Sequence, residues 1–113
     1  MNFPDLFGRG RTQVKLRERV IEALRRIRDP EIPLNIYDLG LIYGLDIDDQ
    51  GHADIRMTLT APACPVAHTF PALVENAVAD VQGISRAHVE LVWDPPWDKS
   101  RLSEAARLQL GLL

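Results

Sequence analysis

The chain opens on apolar residues at helical spacing. In TQVKLRERVIEALRRIRD, from about Thr12, Leu16, Val20, Leu24 and Ile27 share one face, while Lys15, Arg19 and Arg26 fall largely opposite. Glu22 precedes Arg26 by one turn, and the arginines near the end suit the negative pole of the helix dipole. Pro30 disfavours helical geometry at Asp29, so the pattern predicts a helix ending there. Residues 1–11 contain glycine and proline and are expected to form a flexible arm, with residues 12–113 as a single domain.

The period then shortens to two. Two prolines in DPEIPLNIYDLG forbid a continuing helix. In LIYGLDI, Leu41, Tyr43, Leu45 and Ile47 fall on one face. In ADIRMTLT, Ala53, Ile55, Met57 and Leu59 point inward and Asp54, Arg56, Thr58 and Thr60 outward. The connector DDQG supplies turn residues for an antiparallel hairpin. Helical spacing returns with Val66, Phe70, Leu73, Val74, Ala77, Val78 and Val81, and Gly83 is placed to end that helix. Pro71 either kinks this helix or restarts it from a first helical position. In a third strand, AHVELVW, Ala87, Val89, Leu91 and Trp93 share a face and Trp93 is expected in the core. DPPWDKS is a rigid turn whose Trp97 would lid the core edge, and SEAARLQLG reads as a short helix capped by Ser103. The expected class is α+β, with two main helices on one face of a small mixed sheet.

A chain of 113 residues supports one core. No apolar run approaches the ~20 residues that span a bilayer, the N-terminus lacks a secretory pattern, and a single cysteine suits a reducing compartment; the expected location is cytoplasmic. The net charge of −3 conceals an asymmetry: residues 1–28 hold eight Lys/Arg against three Asp/Glu, whereas residues 29–54 hold seven Asp/Glu and no Lys or Arg. The basic stretch has no aromatic residue after Phe7 to stack on bases, and the acidic segment follows directly. A solvated helix face explains it better than nucleic acid or a membrane surface.

Candidate chemistry centres on LTAPACPVAHTF. Cys64 precedes Pro65, which suits the first position of a helix, so the thiol is expected at a helix N-cap, where unpaired N–H groups stabilise a thiolate. The alternative is a small inert hydrophobe. His68, one turn on, invites a Cys–His pair or a two-ligand metal site, but two ligands close no site and a solvated histidine is the simpler reading. Asp29, Glu31 and Asp38 form either a carboxylate patch near the thiol or a set of turn-fixing side chains, the latter favoured for Asp38. His52, in the hairpin turn, and His88, on a polar strand face, have no evident partner. A Gly-rich phosphate loop, a CxxC pair and a nucleophile elbow are absent from the sequence.

Three stretches, DPEIPLNIYDLGLIYGLDI, MTLTAPACPVA and VELVWDPPWDKSRLSEAARLQLG, resemble the SufT-type iron–sulfur assembly factors, a family shared with PaaD-like proteins and the eukaryotic cytosolic Fe–S targeting protein. The resemblance runs from about Leu16 to Gly111. It implies an assembly-scaffold-like α+β domain that matures Fe–S proteins without enzymatic turnover, by carrying clusters or docking client apoproteins. It places the family's cysteine on Cys64, its acidic loop on Asp29 and Glu31, and its threonine on Thr60, with no catalytic residue. Apo client proteins and other Suf-type components are the implied partners, without nucleic acid or membrane. Ala63 stands where the family commonly has glycine, and the extra cysteines of PaaD proteins have no counterpart, which counts against that function. A cluster usually needs four thiolate-class ligands. Cys64 would therefore ligate one transiently, shared across a homodimer or with a client. The competing readings are a docking module with a structural Cys64 and a thiol enzyme using it.

Overall fold

Among the described residues seven elements follow one another: α1 (Phe3–Leu24), β1 (Ile42–Ile47), β2 (His52–Met57), α2 (Phe70–Ala79), β3 (Arg86–Leu91), a 3-10 turn (Lys99–Arg101) and α3 (Glu104–Gln109). The computed structural model describes residues 3–29, 32–60 and 69–111, with side chains from Val14 onward. Strand β2 is central, antiparallel to β1 and parallel to β3. Val20 and Leu24 of α1 and Phe70, Val74 and Val78 of α2 pack with Leu45, Ala53, Ile55, Met57 and Val89 into one core. The result is the two-layer α+β arrangement expected from the periodicities. Each aliphatic side chain removed from water there contributes ~1.5–3 kcal/mol.

Helix α1 differs from expectation at both ends. It begins at Phe3 rather than Thr12, with Pro4 in the first turn, where its missing N–H has no intrahelical acceptor to lose. It ends at Leu24 rather than Asp29, tightening through Arg26 N to Ala23 O (3.1 Å) and Ile27 N to Leu24 O (3.2 Å). The chain gives up further helical turns because residues 27–36 fold back on themselves. Ile36 N donates to Ile27 O at 2.9 Å and Asp29 N to Leu34 O at 3.0 Å, around an antiparallel bridge of Arg28 with Asn35. This connector is part of the interior: Leu34, Ile36, Leu39 and Leu41 are all buried. Its second turn is fixed by Asn35 and Asp38, whose side chains bond at 2.8 Å while Asn35 Oδ1 accepts from Asp38 N at 2.8 Å.

The hairpin forms as predicted, with one irregularity. Leu45 pairs with Ile55 and Ile47 with Ala53, but the register slips between Ile42 and Gly44. Tyr43 is the extra residue of this bulge and leaves the core face, its hydroxyl donating to Pro95 O at 2.8 Å. In the hairpin turn Asp48 Oδ1 accepts from His52 N and Gln50 N, each at 2.9 Å. Those bonds, the one from His52 first, hold its carboxyl below the usual carboxylate range. Thr58, expected outward, is wholly buried; the ladder continues past β2 through Thr58 N to Leu41 O and Val92 N to Met57 O, so chain lies on both sides of it. Trp93, expected in the core, is 41 % exposed, since it follows the end of β3, where β2 no longer flanks it. Leu73, on the expected apolar stripe of α2, is half exposed.

Pro71 lies in the first turn of α2 as its second residue, after Phe70 and the N-cap Thr69; the stretch on which a broken preceding turn was expected lies outside the described residues. The helix ends at Ala79, before Gly83, which instead turns the chain into β3 at φ +101 and leaves room for Leu16. Trp97 does lid the core edge, its Nε1 donating to Leu39 O at 2.6 Å, and Ser103 caps α3 by accepting from Ala106 N.

Charged side chains close both borders of the sheet. Arg17 Nη1 donates to Leu45 O at 2.7 Å on β1, and Val89 N on β3 donates to Glu75 Oε2 at 2.8 Å. Glu75→Ala leaves the Val89 N–H without its acceptor, and a loss of ~1 kcal/mol in urea denaturation is expected. Glu75→Gln keeps an acceptor oxygen and should recover most of that loss; equal losses from both would show that the carboxylate charge matters more than the bond.

Candidate functional site

Three segments converge at one end of the sheet. Hydrogen bonds run from Thr58 N to Leu41 O (2.9 Å), from Leu41 N to Ile36 O (3.2 Å) and from Ile36 N to Ile27 O (2.9 Å). They tie the tail of β2 to the acidic connector after α1. Helix α2 runs back along α1: Gln82 O, beyond its C-terminus, accepts from Arg19, and Gly83 rests on Leu16. Its N-terminus therefore points toward the end that carries Asp29.

Asp29 is held there by its own backbone. Its carboxylate Oδ2 accepts from Ile32 N at 2.8 Å, and its N–H donates to Leu34 O. Asp29 is buried. Thr60, half-buried, is the last described residue before positions 61–68. Of the site residues expected from sequence, Asp29 and Thr60 thus share one end of the molecule. Glu31, Cys64 and His68 lie outside the described residues. The N-cap expected for Cys64 is occupied in α2 by Thr69, because the helix starts at Phe70.

One polar group at this end escaped sequence reasoning. Thr58 Oγ1 is buried with no hydrogen-bond partner among the described residues, and strand alternation had placed it in solvent. The two histidines without a predicted partner do have one: His52 Nδ1 lies 3.3 Å from Asp48, and His88 Nδ1 lies 3.7 Å from Glu75. No group of three or more His, Cys, Asp or Glu among the described residues is placed to hold a metal ion. Among the described residues this end offers the fixed Asp29 carboxylate and the hydroxyls of Thr58 and Thr60, the latter directly before positions 61–68.

Residues 17–91 match the family of iron–sulfur cluster assembly proteins. The chain belongs to that family. It is 44% identical over 96 residues to an Fe–S protein maturation auxiliary factor of Porphyromonas gingivalis, covering 85% of this chain and 91% of that one. It is 37% identical over 84 residues to the Fe–S protein maturation auxiliary factor SufT of Staphylococcus aureus, covering 74% and 96%. A crystal structure of a DUF59 domain from Bacillus anthracis superposes with a TM-score of 0.81 at 31% identity, covering 92% of this chain and 99% of that one. The family's matched span contains Asp29, Glu31, Thr60 and Cys64 together, so the site residues implied by resemblance all fall within the shared domain.

Proposed function

We propose that the protein is a non-enzymatic factor of iron–sulfur protein maturation that carries clusters or docks client apoproteins for cluster insertion. The family match over residues 17–91 carries this reading, and the names of the relatives support it. Cys64 supplies the thiolate, and Asp29, Glu31 and Thr60 contact the cargo or the client beside it. The cluster is cargo. With four thiolate-class ligands normally required, one Cys64 per chain holds part of a cluster, and a second copy across a two-fold axis or client thiols complete the set. Such incomplete ligation favours release. The partners are apo Fe–S proteins and Suf-type assembly components, in the cytoplasm; no helix of the described residues is long and apolar enough to cross a membrane.

The test pairs Cys64→Ser with Asp29→Asn in cells lacking the wild-type chain. Client Fe–S enzyme activity is expected to fall at least tenfold with Cys64→Ser. Asp29→Asn keeps an oxygen to accept from Ile32 N, so its thermal midpoint should stay near wild type while maturation falls. Iron and sulfide analysis after anaerobic purification should show cluster on wild type and none on Cys64→Ser. Unchanged maturation with Cys64→Ser would remove the thiol from the function and leave a docking module.

A further inference from the structure

The face of the sheet opposite the helices carries a cluster that the maturation site does not use. The bulge at Tyr43 turns its ring outward, and the hydroxyl bond to Pro95 O fixes it there. The Arg101 guanidinium stacks 4.3 Å from the ring centroid. On the adjacent strand Arg56 pairs with Gly44, and its guanidinium lies where a side chain at 44 would stand: a Cβ there would meet Nη2 at 2.5 Å and Nε at 2.8 Å. Tyr43, Arg56 and Arg101 line an open cleft of about 380 Å³ with Ile42, Val92, Asp94 and Pro95.

Neither guanidinium has a hydrogen-bonded acceptor among the described residues. Among the described residues Arg56 and Arg101, like Arg86, make no ion pair and no side-chain hydrogen bond, whereas Arg17, Arg19, Arg25, Arg26, Arg28 and Arg107 each have one or the other. The acids nearby do not fill the gap. Asp98 hydrogen-bonds Ser100 and meets Arg101 only through longer-range attraction, and Asp94 on the cleft wall and Glu90, the register partner of Arg56, form no ion pair with either arginine. In a chain of net charge −3, two guanidinium forks without a hydrogen-bonded carboxylate are set in place by a stacked ring and a bare glycine. Planar forks match carboxylates bidentately, and an ordered fork loses less entropy on binding than a free one. Ile42, Val92 and Pro95 give the same cleft an apolar wall, with exposed Trp93 next along the chain.

We propose that the Tyr43–Arg56–Arg101 cleft is a docking site for an acidic segment of a partner protein, in which a carboxylate side chain flanks an apolar one. The choice of a protein occupant rests on the docking role proposed above; the carboxylate chemistry rests on the geometry alone. The test is an NMR titration of the full, ¹⁵N-labelled chain with acetyl-Gly-Glu-Leu-Glu-Gly-amide. Shifts are expected at the amides of Tyr43, Gly44, Arg56, Val92 and Arg101, with at least tenfold weaker binding by the Gln-for-Glu peptide and by Arg56→Gln or Arg101→Gln. Cys64→Ser should bind the peptide as wild type does, which separates this site from the maturation chemistry. No shifts, shifts elsewhere, or equal binding by the Gln peptide would overturn the proposal. Tighter binding of free glutarate or inorganic phosphate would also overturn it, by making the cleft a small-anion site.

Discussion

Gly40→Ala is expected to lower stability by about 3 kcal/mol, combining the strain of a left-handed residue with overpacking. Gly40 has φ +79, a conformation that side chains with a Cβ rarely adopt, and the carbonyl of Arg101 fills the place a methyl group would take. The Arg101 carbonyl carbon would lie 2.8 Å from that methyl. Backbone, not a pliable side chain, is in the way, so the collision is relieved only by separating the two segments. That separation pulls on the contacts crossing the same junction, Ser103 N to Asp38 O at 2.8 Å and Trp97 Nε1 to Leu39 O at 2.6 Å. Urea denaturation measures the loss, and the Trp97 indole resonance should move toward its solvent-exposed position in the native state. A loss under about 1 kcal/mol would show that the C-terminal segment shifts freely over the turn.

Ile36→Ala should cost about 3 kcal/mol, within the usual range for emptying a buried aliphatic site. Ile36 belongs to neither a helix nor a strand, yet it is 0% exposed, and Ile55 at the centre of β2 is 1% exposed. Ile55→Ala is therefore the comparison. Similar losses are expected, because the connector after α1 supplies core side chains as β2 does, and its backbone is anchored at Ile36 by bonds to Ile27 O and from Leu41 N. A loss for Ile36→Ala below half that of Ile55→Ala would mean the connector collapses into the vacated space and is a looser layer of the core.

The periodicities carried the two-layer plan because helix faces and strand alternation are local properties. Val20, Leu24, Val74 and Val78 went where their spacing put them. The Ser103 cap followed from residue chemistry in the same way. The failures came from distant partners. Leu34 takes the Asp29 N–H and helps end α1 early, an interaction no spacing in the helix reports. The bulge that turns Tyr43 outward is settled by pairing with Met57 and Arg56, and Trp93 lost its cover because its neighbour strand stops. For Asp29 the sequence left a turn-fixing role and a carboxylate patch both open, and the bond from Ile32 N shows the first. Its expected grouping with Thr60 and Cys64 came from family resemblance, since residues 29, 60 and 64 have no common period.

The charged groups at the two sheet borders also limit how copies of the chain can meet. A strand added beside β1 or β3 would have to dislodge Arg17 from Leu45 O or Glu75 from Val89 N and leave a charge with weaker partners. Lateral growth of the sheet is disfavoured on both sides. The edges of this sheet are thus kept from pairing with those of another copy.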